Sequence, residues 1–113
     1  MGAWDAGNFD NDSTLDVISD YALLARKEMH APDTVEDIDT LMGSVVVYKA
    51  LVEHCHAAPP ERALISDLKQ SVLTIYDKQI DGLAPSPTYK VKRRQVIEKT
   101  FYDFLAVLDA REQ

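Results

Sequence analysis

His54, Cys55 and His56 place three potential metal ligands side by side, with His30 as a distant fourth. On a helix, residues two apart point about 200° away from each other. His54 and His56 can therefore share a metal only where a helix has ended, and no second cysteine or paired histidine lies at the usual zinc spacing. The same trio offers a cysteine and histidine for nucleophilic chemistry, but adjacent side chains do not face each other and no oxyanion-forming motif accompanies them. A metal-dependent enzyme or regulator built on His54, Cys55 and His56 is thus an alternative reading, not the leading one. Asp10, Asp12, Thr14 and Asp16 alternate like the oxygen ligands that open a calcium loop. Leu15 then stands where such a loop needs glycine, and Tyr21 where it needs a bidentate glutamate, so turn and cap roles explain these residues better. With no phosphate loop, dinucleotide fingerprint, nucleophile elbow or His-Glu-x-x-His motif, no catalytic residue, cofactor or metal is expected.

Charge is the more informative pattern. The chain has 113 residues and a net charge of −7, and residues 1–40 hold ten acids against two bases. Residues 86–113 reverse the balance, with four acids against six bases. Asp12, Asp16 and Asp20 recur every four residues, a spacing that stacks carboxylates along one helix face about 6 Å apart. Like charges at that spacing cost an isolated helix a few tenths of a kcal/mol per pair. Asp33, Glu36, Asp37 and Asp39 then lead into a second helix. Carboxylates in a first turn suit the helix dipole, which accounts for Asp12, Asp16, Glu36 and Asp37 but not for Asp20. The set of Asp12, Asp16, Asp20, Asp33, Glu36, Asp37 and Asp39 reads either as a solubilising surface or as a face for a basic protein partner.

Lys90, Lys92, Arg93, Arg94 and Lys99 form the opposite cluster, which could track a phosphate backbone. A net negative protein works against that field, and internal pairing with acids competes with it. Nucleic-acid binding through Lys90 to Lys99 is the second alternative. The single Cys55 cannot form an internal disulfide, no apolar signal segment opens the chain, and no apolar run approaches eighteen residues. Met1-Gly2 begins like a myristoylation signal, but Ala6 replaces the required Ser or Thr. The expectation is a cytoplasmic chain without a membrane partner.

The elements that must carry these residues follow from apolar periodicity. Residues 1–12 form a turn-rich lead anchored by Trp4 and Phe9. Ser13 and Asp16 open a helix with Leu15, Ile18, Ala22, Ala25 and Met29 inward, and Val17, Tyr21 and Leu24 widening that stripe. Thr34 and Asp37 open a second helix that runs past Val52; its Val45-Val46-Val47-Tyr48 segment also fits a short strand, but the helical period continues on both sides. Pro60 suits the first turn of a third helix, ending at Gly82. After the link Ala84 to Pro87, a fourth helix carries Val91, Ile97, Phe101, Phe104, Leu105 and Leu108. Four amphipathic helices with short connections predict a single all-α domain over 1–113, a small bundle with the lead packed on it.

The opening Met1-Gly2-Ala3-Trp4-Asp5-Ala6-Gly7-Asn8-Phe9-Asp10-Asn11-Asp12, followed by Asp16, resembles a bacterial family of small proteins of unknown function whose start is Met-Gly-x-Trp-Gly-x-Gly-x-Phe-x-Asn-Asp-x-Ala-x-Asp. The match lies in Gly2, Trp4, Gly7, Phe9, Asn11, Asp12 and Asp16; Asp5 and Thr14 depart from it. It covers about the first sixth of the chain and implies a small, acidic, mostly helical bacterial protein, with no catalytic residues transferred. By type rather than by residues, the chain also resembles the acidic immunity proteins that bacteria pair with cationic toxins, nucleases above all. That resemblance implies a protein-binding inhibitor, with Tyr21 or Tyr48 as an aromatic anchor beside the carboxylates unless both belong to the core.

Overall fold

Proline and helix-terminal chemistry divide the chain into four helices in the computed structural model, which describes residues 12–111. Trp4, Gly7, Phe9 and the rest of the lead lie outside the described residues, as does the Asp12 side chain. Helix α1 runs Asp12–Lys27. Its exit tightens as Glu28 N–H and Met29 N–H donate to the Ala25 and Arg26 carbonyls, and Pro32 follows in the connection. A 3₁₀ turn, Val35–Asp37, then leads into α2, Ile38–His54. The valine run is helical: Val45 and Tyr48 are buried while Val46 and Val47 face outward, the 3.6-residue pattern and not the alternation of a strand.

At the end of α2 the Leu51 carbonyl accepts from both Cys55 N–H and Ala57 N–H, each at 3.0 Å, while His56 takes a left-handed backbone with φ 62°. The Val52 carbonyl is capped by the Arg111 guanidinium from the far end of the chain. Orphan carbonyls of this helix are therefore satisfied by tertiary contact. Helix α3, Arg62–Gln79, starts after Glu61, so Pro60 is buried just outside the helix instead of in its first turn. A 3₁₀ turn, Ile80–Leu83, follows, and α4 spans Pro87–Arg111. Ser86 caps α4: its hydroxyl oxygen accepts from Tyr89 N–H at 3.1 Å, with Pro87 in the position where a missing N–H costs nothing.

Helix α4 is the axis of the bundle. α3 and α2 pack on it, and α1 packs chiefly on α2. Ile97, Phe101 and Phe104 of α4 are fully buried with Val45 and Val52 of α2 and Ile65 and Val72 of α3. Phe104 meets the Tyr48 ring edge-on, centroids 6.0 Å apart at 80°. The two buried tyrosines place their hydroxyls on backbone: Tyr48 donates to the Ala58 carbonyl at 3.1 Å and Tyr76 to the Lys90 carbonyl at 2.6 Å. Among the described residues no buried side-chain nitrogen or oxygen lacks a partner, the condition for a specific core. The all-α bundle expected from periodicity is present. Val91, assigned to the fourth apolar stripe, is instead exposed, because α4 enters the core only a turn and a half later, at Ile97.

Gly82 does not stop α3 by a left-handed turn. The left-handed residue is Ala84, at φ 50° and ψ 51°, whose N–H donates to the Asp81 carbonyl. A residue with a Cβ loses about 1–2 kcal/mol in that conformation. Ala84→Gly is therefore expected to stabilise the fold by about 0.5–1 kcal/mol, measured by urea unfolding, after the entropy that glycine adds to the unfolded chain. Gly82→Ala should not destabilise, since a Cβ there meets nothing within 4 Å and no glycine among the described residues has positive φ.

Candidate functional site

The inward face of α1 is narrow: among its described residues Ile18, Ala22 and Ala25 are buried, with Met29 just past its end. Two alanines let the helix lie close to α2, its main neighbour, and the residues flanking this stripe stay outside. Val17, Tyr21 and Leu24, expected to broaden the core stripe, are 53–59% exposed, as is Leu23. Tyr48, the other candidate anchor, is buried in the core, so Tyr21 is the aromatic of the pair that a partner can reach. A shallow groove lies between α1 and α2, with Tyr21, Leu24 and Glu28 on one wall, Thr40 and Val47 on the other, and Gly43 and Ser44 at its base.

Asp16 and Asp20 are exposed on this helix, and neither forms an ion pair among the described residues. Of the remaining predicted carboxylates, the Asp12 side chain lies outside the described residues. Asp33 and Glu36 are exposed in the connection and the 3₁₀ turn beyond the C-terminal end of α1. Asp37 accepts a hydrogen bond from the Thr34 hydroxyl at 3.2 Å, a local side-chain contact that caps neither the 3₁₀ turn nor α2. Asp39, in the first turn of α2, is bound to Arg93 at 2.5 Å. Among the described carboxylates of that set, Asp16 and Asp20 are the ones set among exposed apolar side chains. Leu23 was invisible to sequence periodicity, because an isolated leucine off the main stripe carries no signal of its own.

The basic segment is largely occupied. Lys90 reaches Asp81 at 2.7 Å, and Lys99 reaches Asp103 at 2.7 Å. Arg94 binds Asp77 through two parallel contacts of 2.9 and 3.0 Å and also engages Glu98. Of the five bases, Lys92 alone forms no ion pair among the described residues. The hydrogen bond that Lys90 donates to Asp81 raises the Lys90 pKa, the fork on Asp77 raises that of Arg94, and Arg94 in turn holds the Asp77 carboxyl below its ordinary value. Pairing explains why bases stand at the start of α4, where they oppose the helix dipole.

Because its folded pKa is depressed, Asp77 contributes stability that is fully present above its ordinary value of 3.8 and lost as pH falls through the lower folded value. The acid unfolding of Asp77→Asn should therefore be less steep below about pH 4 than that of the native chain, a modest difference because the pair is half exposed. Equal pH slopes in thermal melts from pH 5 to 2 would contradict this role.

His54 is exposed at the end of α2, 3.8 Å from Glu53, and Cys55 is half-buried. Among the described residues no three His, Cys, Asp or Glu side chains come together as a metal group. No helix among them is long and apolar enough to cross a membrane. No family model, curated protein or solved structure matches the chain.

Proposed function

We propose that this chain is a protein-binding module that docks a basic protein surface through the outer face of α1, as an inhibitor of the immunity type that neutralises a cationic bacterial toxin such as a nuclease. The supporting observation is the composition of that face: Asp16 and Asp20, exposed and without ion pairs among the described residues, stand between the exposed Val17, Tyr21, Leu23 and Leu24. Carboxylates at a rim attract and orient a cationic partner, and an aromatic with apolar neighbours supplies the contact that holds it. A nuclease carries a basic groove for phosphates, which is the surface such a face complements.

The test is protection in cells. The chain is co-expressed with a panel of cationic nuclease toxin domains, and survival is scored together with co-purification. Asp16→Lys with Asp20→Lys should abolish both. Glu61→Lys with Asp67→Lys makes the same change in net charge at exposed positions before and within α3, and should preserve both. Equal loss in the two pairs would show net charge at work and not a docking face.

A further inference from the structure

A second site lies where both 3₁₀ turns and the start of α2 meet the start of α4. It is a crevice of about 170 Å³, floored by Val35, Ile38, Ile80, Leu83 and Pro85 and walled by Tyr76 and Tyr89, with Arg93 and Asp39 at its mouth. Its frame is fixed: Val35 N–H donates to Gln79 Oε1 at 3.0 Å, and Tyr76 is tied to the Lys90 carbonyl. The charges at the mouth are unequal in setting. The Arg93 side chain is 22% exposed and that of Asp39 is 75% exposed. Arg93 spends one of five N–H donors on Asp39, and an exposed carboxylate returns to water at little cost.

We propose that this crevice binds a small organic carboxylate with a branched apolar body, its carboxylate held by Arg93 in place of Asp39. The half-buried cation sets the charge of the ligand, since a group shielded from water gains more from a counter-ion than one already solvated. The aliphatic floor sets its body: an apolar cavity of about 150 Å³ accommodates a benzene ring, so a chain of about six carbons fills this one. This site shares no residue with the outer face of α1 and stands or falls independently of it.

The probe is 4-methylpentanoate, titrated into the ¹⁵N-labelled full chain by NMR, with acetate and 4-methylpentan-1-amine as comparisons. The expected result is saturable shifts at Val35, Ile80, Leu83 and Tyr89 with a Kd in the millimolar range, as suits so small a ligand. Acetate lacks the body and the amine has the wrong charge, so both should bind about tenfold more weakly or not at all. Arg93→Gln should weaken binding by about tenfold. Asp39→Asn removes the competing carboxylate and should tighten binding roughly two- to fivefold. That last change lies at an exposed side chain, so a loss of folding is not expected to obscure it, and unshifted α1 resonances will verify this. Absence of saturable shifts at tens of millimolar, equal binding of the amine, or weaker binding by Asp39→Asn would each overturn the proposal.

Discussion

Replacing Phe104 by alanine is expected to cost about 3–5 kcal/mol of folding stability. The ring is fully buried on the helix that α2 and α3 both pack against, and its edge contact with Tyr48 is lost with it. The cost combines the transfer free energy of a phenyl group with the cavity it leaves, which close packing of Val45, Val52 and Ile65 keeps from collapsing. For a domain of this size, whose total stability falls in a range of about 5–15 kcal/mol, such a loss lowers Tm by roughly 15 °C or more. Tyr102→Ala, two residues earlier on α4, supplies the comparison: that ring is 69% exposed, and its removal should change stability by less than about 0.5 kcal/mol. Urea denaturation of the two variants side by side measures the difference. Similar losses would mean that α4 is not the axis of the core.

The second large effect concerns Tyr21. An aromatic hot spot at the centre of an interface costs about 2 kcal/mol or more on truncation, a weakening of thirtyfold or so. Tyr21→Ala should lose that much affinity for a basic partner while leaving the unfolding midpoint nearly unchanged, because the ring is 59% exposed and contributes little to the fold. The two readouts separate a docking residue from a core residue, which would lose stability as well. Charge reversal at Asp16 and Asp20 should act differently. It should lower the association rate most at low salt and less as salt screens the attraction over a Debye length of about 10 Å at 0.1 M.

Long apolar periodicity made most of the bundle legible in the sequence. Val45, Tyr48 and Val52 on α2 and Ile97, Phe101, Phe104 and Leu108 on α4 were readable as core because each stripe faces two or more helices, and burial then follows the period. The same argument failed on α1. Val17, Tyr21 and Leu24 continue the stripe in sequence, but a helix that packs chiefly on one neighbour buries mainly the width that neighbour covers, and sequence periodicity does not count neighbours. The end of the third helix, expected at Gly82, falls at Gln79, and the left-handed residue beyond it is Ala84: glycine permits such a turn without requiring one.

The basic cluster shows the limit most clearly. Lys90, Arg93 and Arg94 read as a phosphate-binding run, yet the packing of α2 and α3 on α4 brings Asp39 and Asp77 to the two arginines, and the 3₁₀ turn before α4 brings Asp81 to Lys90. Asp39 itself moved from the acidic face to the mouth of the crevice by the same packing. What was left of that face, Asp16 and Asp20, drew its interest from neighbours whose exposure only the fold could reveal.

Calorimetric titration of a cationic toxin domain that the chain protects against into the purified protein addresses the central claim most directly. Native protein and Glu61→Lys with Asp67→Lys are predicted to bind with closely similar affinity, and Asp16→Lys with Asp20→Lys to bind at least tenfold more weakly. Unchanged binding by the Asp16 and Asp20 variant, in a protein that melts like the native one, would contradict the assignment of the α1 face.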